Sequence, residues 1–281
     1  MAVRRLTVTR TEELTPAIIR VTLTGDSLED FAAPGPGDHV KVYFPDPATG
    51  ALTVPELTAD GIRRPAEGTI ISRDYTPSAF RPMLDGGAEL ATAELDLDFV
   101  LHADAGSRVE TMDAAGGGPA SAWAAQAEPG DELGIAGPRG SRLVPKDASE
   151  VVLIADETGF AALGRWLAFL PEATRVSLLL DVADEEAEPY FRPDQLKRAA
   201  SVEWLYREDG PGQLEEAVRS MSFDQDVYVW AAGEATALVP VRRYLKHEAG
   251  LGKDQLDLQG YWKRGIVNRD HHEPLDPSDP D

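Results

Sequence analysis

The run Val151-Val-Leu-Ile-Ala, unbroken by any polar residue, divides the chain into two textures. A strand that is apolar on both faces has to be covered on both faces, as in a parallel sheet flanked by helices. The run leads into a polar turn, Asp156-Glu-Thr-Gly, and an amphipathic stretch from Phe160 to Leu170. The unit then recurs: a strand from Arg175 to Val182, another from Ser201 to Tyr206 with a helix from Gln213, and a third from Asp226 to Gly233 with a helix from Thr236 to Glu248. Strands alternating with helices predict a parallel α/β domain.

Upstream of Glu150 the period is two rather than continuous. Polar and apolar residues alternate in runs between Arg4 and Phe44, again in Thr69–Pro77 and Glu94–His102, and last in Asp131–Gly137, with Gly/Pro-rich turns between them. Half-buried strands of this kind predict a six-stranded antiparallel β-barrel. The expected division is a barrel domain over residues 1–145, an α/β domain over 146–265 and an acidic, disordered tail over 266–281.

Composition excludes several classes. Acidic residues outnumber basic ones 49 to 27, a formal charge of −22, which repels nucleic acid and anionic membrane surfaces. There is no cysteine, hence no disulfide and no thiolate-held metal or iron–sulfur cluster in this chain. No apolar run reaches the ~18–20 residues of a membrane helix, and the first residues lack the apolar core of a signal peptide. A cytoplasmic monomer that holds no metal of its own is expected. His271 and His272 are adjacent, which is not the spacing of a built metal site.

The segment with most chemistry is Thr69-Ile-Ile-Ser-Arg-Asp-Tyr-Thr-Pro77. In an extended backbone Arg73 and Tyr75 share a face, and Thr76 closes the strand. A guanidinium grips phosphate with two donors, a phenol lies against a flat heterocycle, and a hydroxyl bonds its edge. An ordinary barrel strand with a polar exit is the alternative. Gly116-Gly-Gly-Pro-Ala-Ser opens a short helix and offers amides to an anion. Ser121 either caps that helix or bonds a phosphate, and Trp123 reads as core.

Arg73-Asp-Tyr-Thr, Asp98–His102, Gly118-Pro-Ala-Ser, Gly137-Pro-Arg-Gly-Ser, Ala155-Asp-Glu-Thr, Ala232-Gly-Glu and Gly260-Tyr-Trp occur here in one order along nearly the whole chain. This pattern resembles the siderophore-interacting protein family of the ferredoxin-reductase-like superfamily. The resemblance implies an FAD-binding barrel, a nicotinamide-binding α/β domain, and reduction of ferric siderophores with NADPH, with NADH as the alternative donor. It places FAD on Arg73, Tyr75, Thr76, His102, Gly118, Ala120 and Ser121, and extends the cofactor-binding set to Asp156, Thr158, Gly233 and Glu234. Trp262, Lys263 and Arg264 are the candidate substrate contacts, the two cations being suited to an anionic ferric chelate in an acidic protein. No side chain is expected to act as acid or base, because the flavin carries the chemistry. A flavin reductase with another acceptor, or a siderophore binder without activity, are the rival readings.

Two departures from the family pattern stand out. Residues 105–117 lengthen the connection before Gly118, and Ser78 stands where many members carry a second arginine, with Arg81 expected to compensate. The acidic run Asp184-Glu-Glu-Ala-Glu188 reads either as a ribose contact or as a solvated loop. No G-x-G-x-x-G is present, so the usual dinucleotide signal is missing.

Overall fold

In this computed structural model the described residues are 2–58, 61–83, 92–101, 118–138, 140–145, 147–266, 269 and 273–279. They fall into two units, Met1–Leu143 and Val144–Asp281. In the first unit, alternation produces an antiparallel sheet. Its strands are β1 (Val3–Thr15), β2 (Ile18–Thr24), β3 (Val40–Phe44), β6 (Ile71–Tyr75), β7 (Pro77–Arg81), β8 (Glu94–Val100) and β9 (Glu132–Ala136), and a separate small hairpin is formed by β4 (Glu56–Thr58) and β5 (Gly61–Arg63). A short helix, α1 (Pro119–Ala124), lies between β8 and β9 in sequence.

The strands hydrogen-bond in the order β6-β3-β9-β1-β2-β8-β7. The sheet has seven strands, one beyond the six that alternation delivers, because the chain breaks at Thr76 and resumes at Pro77. Proline has no N–H for a ladder and is tolerated at a strand's first position. The break has a topological consequence. Strands β6 and β7, neighbours in sequence, are the two opposite edges of the sheet, and Thr76 carries the chain across the seam. Leu95, Leu97 and Phe99 point from β8 into a core shared with Val21, Leu23, Val40, Val42, Phe44, Leu133 and Ile135. The other face of β8 carries carboxylates matched across strands: Arg20 to Asp98 and Thr22 to Asp96. Opposite partners of this kind fix register, since a one-residue slip would bury the charges.

The second unit is the expected parallel α/β layer. Its elements are β10 (Glu150–Ala155), α2 (Phe160–Phe169), β11 (Arg175–Val182), α3 (Pro193–Leu196), β12 (Ser201–Tyr206), α4 (Gln213–Ser220), β13 (Val227–Glu234), α5 (Ala235–His247) and β14 (Leu256–Trp262). The order is β12-β11-β10-β13-β14, and every neighbouring pair is parallel. Successive strands run outward from β10 on one side, then return to its other side. The reversal between β10 and β13 is a topological switch point, and ligands of open α/β sheets bind outside the carboxyl ends there. Among the described residues no helix is long and apolar enough to cross a membrane.

The carboxyl-terminal residues differ from the disordered tail expected of their composition. Asp279 takes hydrogen bonds from Arg242, Lys246 and His247 on α5, and Asp276 from Arg243. Arg269 donates to the carbonyls of Gly260, Glu273 and Pro274. The last turn of α5 is basic, and a carboxylate-rich segment satisfies it better than water does. His271 and His272 lie outside the described residues.

Candidate functional site

Register explains why Arg73 is unusual. Residues opposite one another in a ladder share a face, and Ile71, Arg73 and Tyr75 pair with Phe44, Val42 and Val40, all fully buried. Arg73 therefore sits on the core-facing side of β6, where an apolar residue belongs. It is tolerated because β6 is an edge strand. Burial pushes its guanidinium below the ordinary arginine value, which is the mark of a cation held partly out of water. One nitrogen donates to the Ser72 carbonyl at 2.8 Å. Another faces Gly118, where an added Cβ would lie 4.0 Å from Arg73 Nη2.

Gly118 is the residue before α1. No side chain caps this helix, Pro119 occupies its first turn, and Ala120 and Ser121 are buried. The first amide bonded inside the helix is that of Ala122, to the Gly118 carbonyl at 3.1 Å, so the amides of Ala120 and Ser121 precede the ladder. Gly118 is thus brought beside Arg73, with Ala120 and Ser121 following it in the first turn of α1. Thr76 is buried at the seam, 7% exposed, and its hydroxyl makes no hydrogen bond among the described residues. The Tyr75 ring is 4.6 Å from Phe99 and 6.4 Å from Phe44, with Trp123 packed in the same cluster. Burial pushes the phenol well above its ordinary pKa. One side of the Tyr75 ring is thus occupied by the barrel's own aromatic residues. His102, the lengthened connection 105–117 and Arg139 lie outside the described residues.

The expectation that Arg81 replaces the charge missing at Ser78 is corrected. Arg81 is bound by both oxygens of Asp96, at 2.7 and 2.6 Å, and by Glu94 at 3.0 Å. Ser78 Oγ donates to Asp98 at 3.0 Å. Burial acts to raise the Asp96 carboxyl, and the hydrogen bonds from Arg81 and Thr22 more than reverse it. Position 78 joins a stripe of satisfied charge on β8, and Arg81 is committed to the same stripe.

In the second unit Asp156, Thr158, Glu234, Trp262 and Arg264 form one network at the switch point. Asp156 follows β10. One of its oxygens takes the Thr158 amide and hydroxyl. The other takes the Glu234 amide at 2.9 Å and the Trp262 indole N–H at 2.8 Å. Gly233 makes room for this group: a Cβ there would stand 2.7 Å from Asp156 Oδ2. Glu234 caps α5 through the Ala237 amide at 2.7 Å and holds the Arg264 amide at 3.1 Å. The sequence reading took Asp156 and Trp262 as ligand contacts, yet the carboxylate and the indole N–H satisfy each other. Thr158 likewise spends its hydroxyl on Asp156.

Sequence reasoning puts Glu157 and Asp181 at the ligand-facing strand ends without giving them a role, and misses Arg207. Arg207, just beyond β12, meets both oxygens of Glu157 at 2.8 and 2.9 Å. Burial raises the Asp181 carboxyl to about 6, with Asp156, Glu157 and Glu234 adding to the rise and Arg207 opposing it. The signal was present, since acidic residues at successive strand ends of a parallel sheet converge. Of the run 184–188, Asp184 caps the Glu186 amide and Glu188 accepts the Tyr206 hydroxyl.

A seven-stranded antiparallel unit with a phosphate-suited seam, followed by a five-stranded parallel unit with an open switch point, defines the flavin- and nicotinamide-binding reductase class of folds. The siderophore-interacting FAD-binding domain profile matches residues 7–142, and the siderophore-interacting protein profile matches residues 148–265. The chain belongs to the siderophore-interacting protein family. It is 34% identical over 262 residues to an NADPH-dependent ferric-chelate reductase of Escherichia coli, covering 92% of each chain. It is 28% identical to a ferric vibriobactin reductase of Vibrio cholerae over 96% of this chain and 93% of that one. The crystal structure of a siderophore utilization protein from T. fusca superposes with a TM-score of 0.80 at 35% identity, over 97% of both chains.

Proposed function

We propose that the protein is a cytoplasmic, monomeric reductase that uses FAD to pass electrons from NADPH to ferric iron in a siderophore, releasing ferrous iron. The observation that carries this reading is Arg73: a guanidinium on the apolar side of an edge strand, desolvated, beside the uncapped start of α1. Structural needs of the barrel alone do not call for a cation there. The names of the Escherichia coli and Vibrio cholerae relatives support the donor and the acceptor.

Arg73 and the amides of Ala120 and Ser121 neutralise and orient the FAD diphosphate, and Gly118 leaves the approach clear of a side chain. Thr76 offers a hydroxyl to the ring edge, and Tyr75, held from behind by Phe99, offers the remaining side of its ring. Held there, FAD would supply the redox chemistry, two-electron acceptance from NADPH and one-electron delivery to a ferric centre. Gly233 lies at the switch point where the second unit receives the dinucleotide, while both carboxylate oxygens of Glu234 are taken by the Ala237 and Arg264 amides. Exposed Lys263 and Arg264, which make no ion pair among the described residues, receive the anionic chelate. Ferrous iron is held less tightly than ferric iron by hard oxygen donors, so reduction loosens the chelate.

The test is anaerobic mixing of the FAD-loaded protein with NADPH, then with a ferric siderophore. The visible flavin absorbance is expected to bleach and then recover, with ferrous iron trapped by a chromogenic chelator. Recovery with free flavin or quinone but not with ferric chelates would assign a different acceptor. Repeating the first mix with NADH gives the donor preference.

A further inference from the structure

The turn that carries Lys263 and Arg264 is tied down by Asp156 and Glu234, two carboxylates that also cap the segments following β10 and β13. Residues Lys263–Ile266 close a turn through the Ile266 amide and the Lys263 carbonyl at 3.0 Å, and Gly265 supplies the positive φ of 79° that such a turn needs. Left alone, a short exposed turn with two long cationic side chains would sample many orientations, at an entropic cost to any ligand that fixes them. Here it has two internal anchors. The Trp262 indole is bonded to Asp156, and the Arg264 amide to Glu234. The Asp156 carboxylate, 4% exposed, joins the ends of β10, β13 and β14 through its bonds to Thr158, Glu234 and Trp262.

Burying a carboxylate is expensive unless hydrogen bonds replace its water. Burial beside Glu157 pushes the Asp156 carboxyl up, while Thr158 and Trp262 pull it down. The arrangement is costly if stability is its only purpose, because an apolar residue would pack there more cheaply. The charge of the turn supplies the second observation. In a chain of net charge −22, Arg81, Arg207, Arg219, Arg242 and Arg243 are each held by carboxylates, whereas Lys263 and Arg264, like Arg64, Lys197 and Lys253, are exposed and make no ion pair among the described residues. What sets Lys263 and Arg264 apart is that they are adjacent and sit on a turn braced by hydrogen bonds to Asp156 and Glu234, which presents both charges to an outside anion.

We propose that Asp156 and Glu234 are positioning residues that hold the Lys263–Arg264 turn preformed for an anionic ferric chelate. The inference rests on the reading that this turn meets the substrate, and the experiment separates the two. Steady-state NADPH oxidation by the FAD-loaded full chain is measured with ferric citrate as the anionic probe and with an uncharged ferric trishydroxamate as control. The double variant K263A/R264A is expected to raise KM for ferric citrate and leave KM for the uncharged chelate alone. If it does not, the substrate reading itself fails.

Asp156→Asn keeps the shape and replaces one acceptor oxygen with a donor, and Glu234→Gln does the same for the second brace. Each is expected to raise KM for ferric citrate about five- to tenfold, the worth of one charge-assisted contact, with kcat changed less than about twofold. Combined with K263A/R264A, neither is expected to add a further increase, since the brace acts only through the turn. A general loss of structure would instead raise KM for both chelates or lower kcat. The proposal is overturned if K263A/R264A raises KM while Glu234→Gln does not, or if the effects add. Should Asp156→Asn fail to fold, Glu234→Gln, which removes a surface brace rather than a buried one, carries the test.

Discussion

Arg73 and Asp181 show how a single side chain is read from the cost of its surroundings. Arg73 is retained on a face otherwise occupied by Ile71 and Tyr75, so its removal should leave the sheet intact and weaken the ligand it serves. Arg73→Ala is expected to lower FAD affinity about 10- to 100-fold, as for loss of a hydrogen bond to a charged group, with Tm of the flavin-free protein unchanged or raised. Fluorescence titration of apo-protein with FAD measures the first and calorimetry the second. Asp181 is the opposite case, a carboxylate that its site does not favour. Its carboxyl ionises at about 6 in the folded chain against an ordinary value of 3.8. A raised folded value means that the group's contribution to stability is full below pH ~4 and is lost as pH rises through about 6. Asp181→Asn should therefore stabilise the protein at pH 7–8, on the order of 1–3 kcal/mol for a mostly buried group, and give no gain at pH 4. Thermal melts at the two pH values decide it, and an equal gain at both would rule out ionisation as the cause.

At the scale of elements, what the sequence displays depends on whether the cause is local. Alternation in Glu94–Val100 and the unbroken Val151–Ala155 reveal one-faced and two-faced burial directly, because a strand's pattern records which side meets the core. The seam at Thr76 was half visible: Pro77 marks a break, but only the pairing order makes β6 and β7 opposite edges. The site residues were legible as types. Their partners were not, since Asp156 meets Trp262 across 106 positions and Arg207 meets Glu157 across 50. The tail is the clearest failure, because an acidic, proline-rich composition says nothing about the basic turn of α5 that receives it. Asp279 has its carboxyl lowered to about 2 by Lys246 and His247, so its contribution is present above the ordinary carboxylate value and lost as pH falls toward 2. Asp279→Asn is expected to lower Tm at pH 7, with the difference from the parent shrinking as pH approaches 3. A constant difference across that range would mean that packing of Leu275, not charge, holds the segment.

For the molecule as a whole, the problem is charge. A formal −22 opposes the approach of NADPH and of anionic chelates, while the proposed contacts, Arg73, Lys263 and Arg264, are few and local. The two effects differ in range. Repulsion from the surface acts over many ångströms and is screened beyond a Debye length of about 8–10 Å at moderate salt. A half-buried guanidinium acts at contact and is screened much less. Raising salt from about 10 mM to about 150 mM shortens the Debye length from ~30 to ~8 Å, which should remove most of the long-range barrier and little of the contact energy. The second-order rate constant for reduction of the bound flavin at limiting NADPH is therefore expected to rise with salt, as like charges approaching one another require. Stopped-flow mixing across that range measures it directly. A rate that falls with salt would mean that the field at the dinucleotide's point of entry is positive, and that carboxylates such as Glu157 and Asp181, spent on Arg207, are neutralised there more completely than the whole-chain charge suggests.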